Sequence, residues 1–259
     1  MYKSVDSTKK SKQSFLLLLV LISLLLPTRG FCQEPTDTKL EKMPANLERD
    51  YALSSLPPHL RGGAAVYLMD PAKGYYLAKK GTNGFVCFIS RMEWEWGEFR
   101  NDYTMPISFD AVGAAAIFPI YQAVAAMRAS GKYTAKQIKA IVVYRIKKGI
   151  YKAPSRPGIS YMLEPVMRGY PGDPTNNKII TMSMPHIMFY APYMNNADIG
   201  GDTNNGPFIG NPDNTVLGDK KGPYGYVIVP EGELEQAQIV KASSDLLKRL
   251  VAYKSYYKI

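Results

Sequence analysis

Hydrophobic and polar positions fall into a strand rhythm over the first third of the folded region. AAVYLMD (64–70), YYLAKK (75–80) and FVCFISR (85–91) are β-rich runs separated by the turn-forming PAKG and GTNG. The spacing predicts three strands of an antiparallel meander. The third run is apolar almost without interruption, which predicts a central strand covered on both faces. MEWEWGEFRNDYTMP (92–106) then alternates acid with aromatic, so Glu93 and Glu95 share one strand face and Trp94 and Trp96 the other. Such alternation predicts a half-buried edge strand.

The rhythm changes to a helical one further on. Pro119 suits a first helical turn, so a helix is expected from Pro119 to Ser130, closed by Gly131, with Asp110 to Phe118 a compact link into it. Thr134 and Gln137 have capping-box spacing. Ile138, Ile141, Val142 and Ile146 form a stripe, and Gly149 ends the helix after Lys147 and Lys148. The two helices make an αα-hairpin. Residues 150–183 carry five prolines and read as mostly extended, with strands at Ile159–Leu163 and Lys178–Ser183. Further strands are expected at HIMFYAP, from His186, and at YGYVIVP (224–230), with a long Gly/Asn/Asp loop over 195–223 between them. A short helix over Ala45–Leu56, stopped by Pro57-Pro58, precedes the strands. A last helix, Glu233 to Tyr253, turns Leu234, Val240, Leu247, Leu250 and Val251 inward. The fold class is therefore α+β, a largely antiparallel sheet packed by an αα-hairpin and a C-terminal helix.

The N-terminus changes the picture of where this domain works. A polar stretch with four lysines leads into FLLLLVLISLLL (15–26), ended by Pro27. This is the order of a secretory signal peptide. Twelve helical residues reach about 18 Å, short of the ~30 Å a membrane span needs. Gly30-Phe31-Cys32 before Gln33 suits signal-peptidase cleavage. Phe31 directly before Cys32 makes lipidation the weaker alternative. The expected organisation is a signal peptide over 1–32, a flexible leader over 33–44 and a single globular domain over 45–259. The protein is expected to be exported, periplasmic or secreted, with no transmembrane span in the mature chain.

Charge and cysteines follow from that cleavage. The full chain has 32 basic and 22 acidic residues. Residues 1–32 hold five of the basic and one of the acidic, leaving net +6. The remaining basic residues form no dense tract, which argues against nucleic acid as a partner. With Cys32 removed, Cys87 has no partner for an internal disulfide.

Candidate chemistry gathers around MPHIMFYAPYMNNADIG (184–200). One reading pairs Cys87 with His186 as thiol nucleophile and base, with Asp198 or Asn195 orienting the ring, and makes the protein a cysteine-dependent hydrolase or transferase. The other reading, favoured because Cys87 lies mid-strand, is a small-ligand-binding or structural protein. Its pocket lies near 184–200 and is lined by His59, Tyr161, His186, Tyr190, Tyr193 and Asn195. The partner is then a small molecule or a cell-envelope component. No cofactor is expected. His59 and His186 are too few for a zinc centre, and no metal site is assigned. Asp202, Asn204 and Asp213 offer oxygens for calcium in the 195–223 loop, without the glycine and glutamate that an EF-hand requires.

Four blocks, LPPHLRGGAAVYL (56–68), GTNGFVCF (81–88), RPGISYML (156–163) and PHIMFYAPYMNNADIG (185–200), resemble a family of exported bacterial proteins to which no activity is attached. The resemblance implies export. It implies no mechanism and contributes no site residues.

Overall fold

The computed structural model describes residues 40–92, 97–170, 178–202, 206–210 and 221–259. All of these belong to the unit Asp37–Ile259. The strands are β1 (Ala65–Asp70), β2 (Gly74–Lys79), β3 (Val86–Ser90), β4 (Met105–Phe109), β5 (Ile159–Met162), β6 (Met167–Gly169), β7 (Ile180–Met182), β8 (His186–Tyr190), β9 (Phe208–Gly210) and β10 (Tyr226–Pro230). Eight of them form one sheet in the order β2-β1-β3-β4-β5-β8-β10-β9, and β6 and β7 form a separate pair. The α+β class is as expected, and the large sheet is antiparallel at every pairing but one.

The exception corrects the expected meander. β1 and β2 form a hairpin, but β3 lies on the other side of β1 and runs parallel to it, paired only at Ala65↔Val86 and Val66↔Cys87. After β2 the chain crosses the start of β1. Gly81 lies so close to the Ala64–Ala65 backbone there that any Cβ would overlap it, and the Thr82 and Asn83 amides donate to Gly63 O. A period of two reports which faces are buried, not which strand lies alongside, so the pattern could not distinguish this crossing from a simple turn.

Helices cover both faces of the sheet. On one side lie α3 (Ala111–Ala116), α4 (Phe118–Ala129) and α5 (Ala135–Lys147). Ile120, Val124, Ile138 and Val142 from this layer pack on Phe88, Ile107, Phe109 and Met188. On the other side α1 (Ala45–Ser54) and α8 (Ser244–Tyr253) pack Leu47, Tyr51, Leu246 and Leu250 on Val66, Leu68, Cys87 and Ile89. Alternation along β3 thus sends Phe88 to one layer and Cys87 and Ile89 to the other, which is why that run is apolar throughout. The Thr134–Gln137 capping box opens α5, and Pro119 sits in the first turn of α4.

Other differences have local causes. The expected link 110–118 contains helix α3, because the Asp110 carboxylate caps it by accepting from the Val112 and Gly113 amides. Pro57-Pro58 ends α1 but also opens a one-turn helix, α2 (Pro58–Arg61), with Pro58 preorganised at its first position. The loop expected over 195–223 contains α6 (Asn196–Ile199) and β9. The C-terminal helix is two helices, α7 (Glu233–Ala242) and α8, divided at Ser243, whose φ is −99° and ψ is 15°. The break resets the helical phase. Leu250 is buried as expected, whereas Leu234 is 67% and Val251 36% exposed. The Glu93/Glu95 and Trp94/Trp96 alternation lies outside the described residues.

Candidate functional site at the ends of the parallel strands

Strand register separates the expected thiol–imidazole pair. Cys87 pairs with Ser108, Ser108 with Tyr161 and Tyr161 with Ile187. The β8 residue in the row of Cys87 is therefore Ile187, and His186 points to the opposite face. The two residues are three strands apart, about 14 Å at the usual strand spacing. Cys87 is fully buried, and desolvation pushes its thiol up to about 12, although a hydrogen bond with Ser55 opposes the shift. His186 is also buried. Its Nδ1–H donates to Met184 O at 2.7 Å, and burial lowers its pKa. The geometry supplies no Cys–His dyad.

The expected ligand-lining residues do not converge either. Asp198 and Asn195 form a capping box on α6. The Asp198 carboxylate accepts from Asn195 N at 2.8 Å and pairs with Lys221 Nζ at 2.7 Å. Tyr193 is 59% exposed, with a left-handed φ of 62°. His59 is exposed on α2. Tyr161 lies against Phe85 in the α1/α8 layer, with ring centroids 5.9 Å apart. Tyr190 faces the α3–α5 layer. Its hydroxyl lies 3.1 Å from Asp110 Oδ1 and 3.0 Å from Ile159 O, and donates to this pair. It is a strut between strand ends and the α3 cap. Of the proposed calcium ligands, Asp202 is among the described residues and Asn204 and Asp213 lie outside them. Among the described residues no three or more His, Cys, Asp or Glu gather as a metal-binding group.

The site that the fold does build follows from the one parallel pairing. The chain leaves β1 toward β2 and leaves β3 toward β4, on opposite sides. Such a divergence opens a crevice outside the carboxyl ends of parallel strands. Side chains bridge the gap where the ladder stops. Glu48, from α1, accepts from Met69 N at 2.8 Å, and the Tyr75 hydroxyl donates to Ile89 O at 2.6 Å. Beyond them is a cavity of about 20 Å³ between the strand ends (Met69, Pro71, Ser90 to Met92) and α4 (Val124, Ala125, Arg128, Ala129). It has room for one water-sized group.

Its lining is mostly aliphatic, with the hydroxyl-bearing Tyr75, Ser90 and Tyr121 and two arginines. Arg91 is 3% exposed. Its Nη2 reaches Glu41 O at 3.3 Å and Asn101 O at 3.4 Å, while Nε and Nη1 are buried with no hydrogen-bond partner. Arg128 donates from Nη1 to Arg91 O at 2.9 Å and stacks over Phe99 at 4.7 Å. Desolvation raises the Glu48 carboxyl to about 7, against the Met69 hydrogen bond and the charges of Arg91 and Lys42. No family model, curated protein or solved structure matches this chain.

Sequence reasoning passed over Glu48, Arg91 and Arg128. One signal was present: Glu48 lies on the apolar stripe of ANLERDYALS, beside Leu47 and one turn before Tyr51 and Ala52, all of them buried. Arg91 ends an apolar run, where a charged residue ordinarily marks the return to solvent. Here Glu41, Asn101 and Arg128 close over it instead.

Proposed function

We propose that the protein is an exported binding protein that holds a small ligand non-covalently in the crevice where β1 and β3 part. The observation that carries the reading is the buried Arg91 in the cavity wall, with two guanidinium nitrogens unpartnered by the protein. Binding sites are mostly apolar concavities with a few placed polar groups, and this crevice has that character. The burial of Cys87 and its separation from His186 count against a covalent mechanism. Export is read from the lysine-bearing leader and the run 15–26, and the resemblance to exported bacterial proteins agrees with it. No helix among the described residues is long and apolar enough to cross a membrane. The ligand is then met in the periplasm or outside the cell, as a free small molecule or as part of an envelope component.

The test is a thermal-unfolding panel of small acids, amines, sugars and amides on the purified protein. Ala129→Leu serves as a control that narrows the crevice. At least one class should raise the melting temperature of the wild type and not of the variant. In parallel, Cys87 should react with an alkylating agent only as fast as the protein unfolds. A flat panel together with fast labelling that depends on His186 would return the protein to the covalent reading.

A further inference from the structure

We infer that the crevice takes the carboxylate of a short-chain acid, with Arg91 as its counter-charge. The inference rests on the reading of the protein as a binding protein and adds the class of its ligand. It starts from a charge that the fold leaves unanswered. An unpaired buried guanidinium charge is among the costliest arrangements in a protein interior. Arg91 has two long contacts from Nη2, at 3.3 and 3.4 Å, and none from Nε or Nη1. No carboxylate of the described residues comes within 4.0 Å of it.

The neighbouring acids do not fill the role. Glu48 feels the charge of Arg91, but it lies outside ion-pair distance and its Oε1 is engaged by the Met69 amide. The Glu41 carboxylate turns outward to Lys254 at 2.7 Å. The Arg91 guanidinium is thus the charge in this wall that the described residues leave unanswered.

Size and lining narrow the class. About 20 Å³ suits the tip of a carboxylate and is tight for a tetrahedral oxyanion such as sulfate or phosphate. Met69, Met92, Val124 and Ala125 add no donor to the space, so a monovalent anion matches the single charge of Arg91 better than sulfate or phosphate. A carboxylate accepting from a guanidinium forms the strong, charge-assisted kind of hydrogen bond, and a neutral amide of the same shape does not.

The deciding experiment titrates ¹³C-acetate into the purified protein at constant ionic strength and follows its line width. Melting curves are recorded with formate, acetate, acetamide, chloride and sulfate. Acetate and formate should bind and raise the melting temperature, and acetamide should not. Arg91→Met should weaken acetate about tenfold or more, the effect of losing a charge-assisted contact. Ala129→Leu keeps Arg91 but narrows the crevice, and should weaken acetate as well. If Arg91→Met does not fold, Ala129→Leu and the acetate–acetamide contrast still decide. Equal binding of acetamide would overturn the role of charge, and equal binding of chloride would overturn the carboxylate class. In both cases the crevice binds a solute, so the binding-protein reading survives. No response to any of the five solutes overturns the inference outright, and the wider panel then judges that reading on its own.

Discussion

Glu48 loses its water when α1 packs over the diverging strands, and its carboxyl rises to about 7. The unfolded chain ionises this group near 4.3. A raised acid leaves its full stability below the unfolded value, and stability is lost as pH rises through the folded one. The loss is about 3 kcal/mol between pH 4 and pH 8. Glu48→Gln keeps an acceptor for the Met69 amide and should remove this slope. Urea unfolding should show it more stable than wild type by about 2–3 kcal/mol at pH 8 and unchanged at pH 4. His186 works with the opposite sign. Burial lowers its pKa, so the unfolded chain takes up the proton first and stability falls as pH drops below about 6.5. Removing Glu48 should therefore uncover a stability that rises with pH through that window. An unchanged pH slope in Glu48→Gln would mean that the carboxyl is solvated in the folded protein.

At the scale of elements, one polar knot joins β4, α3, β5 and β8. Asp110 caps α3 with Oδ1 and accepts from Ile159 N with Oδ2 at 3.0 Å, and the Tyr190 hydroxyl closes the knot. There is no spare volume inside it. A Cβ at Gly113 would overlap the Tyr190 hydroxyl, and one at Gly158 would lie 2.7 Å from Tyr190 Cε2. Gly113→Ala should cost about 1–3 kcal/mol by overpacking, and Tyr190→Phe about 1–2 kcal/mol by leaving Asp110 and Ile159 O short of a donor. The two changes meet at one oxygen. A double-mutant cycle should therefore find the pair less costly than the sum of the singles by about 0.5 kcal/mol or more. Strict additivity in urea midpoints would mean that the ring already has room to move. The sequence showed the α5 capping box directly because it depends on residues three apart. The α3 cap is equally local, but Gly113 stands where a capping-box Glu or Gln would be, and six residues are too few to show a helical stripe.

For the whole molecule, closing the second face of the sheet depends on the C-terminus. Leu250 is fully buried against α1 and β1 residues, while Leu234 on the preceding helix is 67% exposed. Leu250→Ala should cost about 2–5 kcal/mol, and Leu234→Ala under about 0.5 kcal/mol. Equal effects in denaturant titrations would mean that α7 and α8 form one continuous packed helix. Amino-acid order alone established the class, most strands, the αα-hairpin and the burial of Cys87, because each depends on periodicity and capping within a few residues. It could not establish which strands are neighbours, that β3 runs parallel to β1, or which face His186 shares. Pairing is settled by contacts between segments far apart in the chain, and alternation reads the same for either neighbour. The crevice is the clearest case. Glu48, Arg91 and Arg128 come from a helix, a strand end and another helix, and nothing in their local sequence marks them as a group. They meet because β1 and β3 pair at their starts and then part, a decision that only the packed sheet makes.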